Sequence, residues 1–242
     1  MRGLIFGNSH VGALYSCWAQ AKQIDADFYA IPGGGGPNVT LEGDRIFPSR
    51  ENADVQSTIR GVQEDGLSLT DYDYVAFCSM GLAAVREEYP GHILNRFLLA
   101  EYTTLESKGS SPVSRAVLAK CMQRAHEHYP AMATLRKIRT LFDGPILATP
   151  VPIPVVSLLK DDHPLRYSYG MNIIKFTSWI ASFQLEMIRS ASENIDIEVL
   201  DYPNMDWVNA GSTPEEYATR DAWHMNRAYG ELLLNQIHGA LS

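Results

Sequence analysis

The chain reads as an α/β protein built on an open, doubly wound, mostly parallel sheet. Three observations predict this. Short apolar runs alternate with longer amphipathic runs along all 242 residues. The apolar runs are nearly continuous, as expected for strands buried on both faces. The unusual residues cluster directly after those runs, at the carboxyl ends of strands, where such sheets bind ligands. Strand–helix alternation also implies right-handed crossovers between parallel neighbours.

Leu4-Ile5-Phe6 is the first short buried strand. "VGALYSCWAQAK" follows, with Val11, Leu14, Tyr15 and Trp18 at helical spacing. "DADFYAIPGGGG" gives a second strand that ends in Pro32 and the four glycines Gly33 to Gly36. A hairpin or loop is expected around "TLEGDRIFP", then a helix around "ADVQSTIRGVQED". Tyr74 to Cys78 is the buried run of the third strand. The segment 84–143 reads as mostly helical, broken by Pro90-Gly91, "SKGSSP" and Pro130. "GPILATPVPIP" is the fourth strand, breaking up at its prolines, and 156–171 reads as a polar loop. A long amphipathic helix is expected from Met171 to Ser192. "IDIEVLDYP" is the fifth strand, 203–220 is a loop, and a last helix starts near His224. No Pro/Ser/Gly-rich linker divides the chain, so one domain spanning 1–242 is expected, with a helical insertion at about 84–143.

Charge narrows the partners. Lys and Arg number 20 against 28 Asp and Glu, a net charge of −8. Nucleic acids and anionic membranes attract Lys/Arg patches, so neither is expected as a partner. Cys17, Cys78 and Cys121 are far apart and show neither a CxxC nor a zinc spacing, which suits reduced thiols. No signal peptide or membrane-spanning run is visible, and a cytoplasmic protein is expected.

Gly7-Asn8-Ser9-His10, between the first strand and the first helix, poses the functional question. Three kinds of site use a strand–tight turn–helix. A dinucleotide site needs G-x-G-x-x-G, and Ser9 occupies the middle glycine's place. A P-loop needs Gly-Lys-Ser/Thr after its spacer, and Ala13-Leu14 stand there instead. The third kind aims a nucleophile. A serine hydroxyl then needs a base to take its proton and donors for the developing oxyanion. The G-x-S-x-G elbow is absent, because Val11 takes the last glycine's place.

"FGNSHVGAL" resembles the first block of the SGNH (GDSL-type) hydrolase superfamily, and "RDAWHMNRAYGELLLNQI" resembles its last block, D-x-x-H followed by Asn and an apolar helix. The blocks stand at opposite ends of the chain in the family's order. The resemblance implies a flavodoxin-like sandwich and a serine-dependent ester hydrolase working through an acyl-enzyme, without a cofactor. It implies Ser9 as nucleophile, His224 as general base and acid, and Asp221 as the group that orients the imidazole. It implies an oxyanion hole of the Ser9 N–H, a glycine N–H after strand two and an Asn after strand three. Gly35 is the preferred glycine, with Gly34 and Gly36 beside it. Gly81 stands where the family's Asn is expected, so Asn38 or a backbone N–H near Gly81 would have to substitute. The implied substrate is a small acyl group on a carbohydrate or other polar alcohol. Two other readings stay open: acyl transfer on the same fold, and a catalytically weakened binding module.

Each residue also has a plainer reading. Ser9 could simply cap the first helix, and Asp221 the last. His10 reads as structural. Asp161-Asp162-His163 reads as a solvated loop bordering the cleft. His126 and His128, two apart on a helix, do not share a face, so no metal is expected. Trp207, Trp223, Tyr167 and Tyr169 are placed in loops near the cleft, where some could stack on a sugar.

Overall fold

Leu4, Ile5 and Phe6 are all fully buried, although consecutive residues of a strand point to opposite faces. The strand that carries them must therefore be covered on both sides. The computed structural model describes residues 1–21, 24–30, 39–48, 66–80, 97–103, 111–127 and 130–242. In chain order the described elements begin with β1 (Arg2–Gly7), α1 (Val11–Ala21), β2 (Asp25–Ala30), β3 (Val39–Glu42), β4 (Arg45–Pro48), β5 (Leu67–Ser68) and β6 (Tyr74–Met80). There follow β7 (Phe97–Leu99), β8 (Ser111–Val113), α2 (Arg115–Glu127), α3 (Pro130–Arg139) and β9 (Ile146–Pro150). The chain closes with α4 (Pro164–Tyr169), α5 (Ile173–Glu193), β10 (Glu198–Val199), α6 (Asp206–Ala210) and α7 (Arg227–Ala240).

Five strands form one sheet in the order β10-β9-β6-β1-β2, and all four pairings are parallel. This is the flavodoxin-like order, whose topological switch lies between β1 and β6. Side-chain alternation sorts the core. Ile5, Tyr74, Ala76 and Leu147 meet Val11 and Leu14 of α1 and Leu233 and Leu234 of α7. Leu4, Phe6, Val75 and Phe77 face the other way, onto Met132, Leu135 and Ile138 of α3. A third cluster joins β7, α2, α4 and α5, with Tyr169 stacked on Phe176 at 3.9 Å. Gly7 is required by a close approach, because a Cβ there would lie 2.3 Å from the Cys78 carbonyl oxygen. All three cysteines are free, and full burial pushes the Cys78 thiol up to about 12. No described helix is long and apolar enough to cross a membrane.

Several local expectations change. "TLEGDRIFP" forms the antiparallel β3–β4 hairpin. The helix expected around "ADVQSTIRGVQED" lies outside the described residues. Within 84–143 the described part holds α2 and α3, but also the parallel pair β7 and β8. The stretch 156–171 is not a plain polar loop, because it contains α4. There His163 accepts from the Leu165 N–H at 3.2 Å, Pro164 takes the first turn, and Leu165 and Tyr169 are buried. The last helix starts at Arg227, not His224, because residues 218–225 fold into a closed loop ahead of it.

Candidate active site

Gly7 ends β1, and three residues carry the chain into α1. Asn8 shapes this turn. Its Oδ1 accepts from the His10 N–H at 3.0 Å, and its Nδ2 donates to the Ser79 carbonyl at 3.4 Å. The Val11 and Gly12 N–H groups bond back to the Asn8 and Ser9 carbonyls at 3.1 Å. Among the described residues the Ser9 N–H donates to nothing. It lies two residues ahead of Val11, the first residue of α1, where the helix's partial positive charge favours an anion. Ser79, across the switch point, holds φ 67 without being glycine. Its N–H donates to Thr149 Oγ1 at 3.1 Å, where the β6–β9 register shifts. A non-glycine residue in that conformation costs roughly 1–3 kcal/mol and clusters at functional sites.

The partner groups come from the far end of the chain. Ala218 and Met225 form an antiparallel bridge, and the Thr219 N–H donates to the His224 carbonyl at 2.9 Å. Inside this closed loop Asp221 Oδ1 accepts from the Trp223 and His224 N–H groups, each at 2.7 Å. Asp221 Oδ2 lies 2.8 Å from His224 Nδ1. His224 Nε2 then lies 3.2 Å from Ser9 Oγ. Burial pulls the Asp221 carboxyl up. The His224 N–H, the His224 ring and the Trp223 N–H outweigh it, so the group ends below the usual carboxylate range. An ionised Asp221 selects the tautomer that keeps hydrogen on Nδ1 and a lone pair on Nε2, facing Ser9.

Two details bring chain ends 215 residues apart into contact. Gly230 lets α7 approach α1, since a Cβ there would lie 2.2 Å from the Ala13 carbonyl oxygen. Asn226 caps α7, accepting from the Ala228 and Tyr229 N–H groups. Its Nδ2 also donates to the Glu216 and Ala218 carbonyls, at 2.6 and 2.9 Å.

The structure thus brings Ser9, His224 and Asp221 together in one relay. Gly34, Gly35, Gly36, Asn38 and Gly81 lie outside the described residues. His10 is buried, with its ring centroid 5.7 Å from that of His224. Asp161 and Asp162 are exposed, and Asp161 lies 3.6 Å from Arg166. His126 is buried. The aromatic residues divide. Trp207 and Tyr169 are core residues, Tyr167 is exposed, and Trp223 borders His163 at 5.6 Å. Asn226, Ser79 and Gly230 had no assigned role from sequence. Asn226 carried a readable signal: an Asn directly before an apolar helical run is a start signal.

No family model and no curated protein matches the sequence. Among solved structures, the chain is similar to a mutant acetyl-xylooligosaccharide esterase from Geobacillus stearmophilus. The TM-score is 0.40 and the identity 8%, over 98% of this chain and 91% of that one. A likeness of that degree carries no functional argument.

Proposed function

We propose that the protein is a serine-dependent hydrolase of carboxylic esters, with Ser9 as nucleophile, His224 as general base and acid, and Asp221 as the orienting group. The relay Ser9 Oγ–His224 Nε2 and His224 Nδ1–Asp221 Oδ2, at 3.2 and 2.8 Å, carries the reading. Both distances suit proton transfer before substrate tightens the site. Ser9 Oγ attacks the ester carbonyl carbon while His224 Nε2 takes its proton. The carbonyl oxygen gains the negative charge, and the Ser9 N–H, ahead of the amino end of α1, donates to it in this reading. Collapse breaks the bond to the alcohol oxygen, which leaves with the proton from His224. Water then repeats the sequence on the acyl-serine, giving the free acid and restoring Ser9. Asp221 stays ionised and balances the imidazolium in each half.

Hydrolysis is preferred over acyl transfer because the His224 and Asp221 side chains remain 44% and 48% exposed, which admits water. A carbohydrate or other polar alcohol is the proposed leaving group. The test is labelling with a serine-reactive phosphonate and turnover of short-chain aryl esters, with Ser9→Ala as control. Wild type should label once and turn over ester, and Ser9→Ala should do neither. A wild-type protein that is both unlabelled and inert sinks the proposal.

A further inference from the structure

The loop that holds Asp221 and His224 is closed at its neck by the Ala218–Met225 bridge and by Asn226, which starts α7. Its tip, which carries both side chains, has a separate support. Among the described residues, one main-chain hydrogen bond joins residues 219–224 to a segment outside the loop. The Val155 N–H donates to the Ala222 carbonyl at 2.8 Å. Ala222 stands between Asp221 and Trp223, and both Val155 and Ala222 are buried.

Val155 ends a segment that its sequence makes stiff. Pro150, Pro152 and Pro154 alternate with Val151, Ile153 and Val155. A proline fixes its own φ and pushes the residue before it toward extended geometry. It also lacks an N–H, so a run of alternating prolines cannot continue as an ordinary strand. The Val151 N–H still bonds to the Met80 carbonyl at the end of β6, at 2.9 Å. Four residues on, Val155 is extended, at φ −79 and ψ 94, and its N–H goes to the His224 loop instead. The segment therefore spans from the edge of the sheet to that loop. Two side chains clasp it. Thr213, 1% exposed, donates from Oγ1 to the Ile153 carbonyl at 2.7 Å. Ser212 Oγ accepts from the Val156 N–H at 3.0 Å. The clasp rests on α5, where Thr177 Oγ1 lies 2.5 Å from the Gly211 carbonyl oxygen.

We infer that residues 151–156 form a spacer that sets His224 over Ser9, and that Thr213 is the positioning residue that fixes the spacer. The inference rests on the esterase reading. Thr213 acts through Val155 and Ala222, not on the reacting atoms. If the spacer shifts, Ala222 moves and takes Asp221 and His224 with it, while the bonds inside the loop stay intact. The relay then opens at its Ser9–His224 link and keeps its His224–Asp221 link.

The experiment is steady-state kinetics on a short-chain aryl ester, with phosphonate labelling rates, for wild type, Thr213→Val, Thr213→Ser and Ser212→Ala. Each is run where circular dichroism shows the protein folded. Thr213→Val keeps the side-chain shape and removes the donor. Displacing a catalytic group costs up to about 100-fold, so Thr213→Val should lower kcat and the labelling rate roughly 10- to 100-fold. KM should stay near the wild-type value, because the lost interaction acts on the reacting groups and not on substrate binding. Thr213→Ser keeps the hydroxyl and should restore both rates. Ser212→Ala should lower kcat in the same direction, which gives a reading if Thr213→Val does not fold. A wild-type kcat in the folded variants, a loss carried by KM, or a loss that Thr213→Ser shares would overturn the spacer and leave the esterase standing. Wild type that turns over no ester and takes no phosphonate label would overturn both.

Discussion

Asn226 stands outside the proposed proton relay but ties together the two segments that flank it. Its Oδ1 accepts from two N–H groups at the start of α7, while its Nδ2 binds two carbonyls at the neck of the loop that holds Asp221 and His224. Its own N–H closes the same neck on the Tyr217 carbonyl at 2.8 Å. Capping and clamping can be separated by mutation. Asn226→Ala removes both, and losing the cap alone costs about 1 kcal/mol. Asn226→Asp keeps an acceptor at the helix start, where a carboxylate is favoured. It replaces the Nδ2 donor with an oxygen facing two carbonyls, so the neck loosens while the helix stays capped. Small displacements of a catalytic group cost up to about 100-fold. Asn226→Asp should therefore lower kcat roughly 10- to 100-fold with little change in KM. A wild-type kcat in a folded Asn226→Asp protein would show that the clamp does not position His224.

At the scale of elements, the site depends on the packing of α1 against α7. Ser9 precedes one helix and His224 precedes the other, so their separation follows the helix–helix distance. Gly230 permits a close approach of the two helices, where an added Cβ would meet the Ala13 and Leu14 backbone rather than a movable side chain. Gly230→Val should push α7 outward, cost roughly 1–3 kcal/mol as overpacking does, and pull His224 from Ser9. Activity should fall more than tenfold at temperatures where the variant is still folded by circular dichroism. Activity that tracks only the folded fraction would mean the helices merely support the site. Some elements were readable from sequence and others were not, for physical reasons. Leu4–Phe6, Tyr74–Cys78 and Ile146–Ala148 read as strands because burial on both faces demands unbroken apolar runs. α4 was missed because six residues are too few for a helical period to emerge, and its His163 cap and Pro164 were the better signals. The start of α7 was placed too early because Asp221 resembles a cap, while the cap is Asn226.

At the scale of the whole molecule, the legible part of the candidate site was the part carried by short motifs. Ser9, Asp221 and His224 could be chosen as candidates because the stretches that hold them, at opposite ends of the chain, together resemble the end blocks of one family, whereas each residue alone reads as a helix cap or a plain histidine. Ser79 and Gly230 could not, because a left-handed backbone angle and a close helix–helix approach have no motif of their own. Another feature without a motif is His126 of α2, which is buried. Burial, with the Arg136 charge adding to it, lowers its pKa from 6.5 to about 4. Above pH 6.5 the ring is neutral whether the chain is folded or unfolded, and His126 then adds no pH dependence. As pH falls from 6.5 to about 4, the unfolded chain takes up the proton and the folded one resists it, so stability drops. The drop amounts to about 3 kcal/mol, a large share of the 5–15 kcal/mol typical of a folded domain. Urea unfolding of wild type and His126→Gln at pH 7.5, 6, 5 and 4.5 isolates this contribution, because carboxylates common to both proteins cancel in the comparison. The gap between the two curves should shift in favour of His126→Gln by up to about 3 kcal/mol as pH falls. Parallel curves would mean that the folded protein admits the proton, and that the surroundings of His126 open locally to water in mild acid.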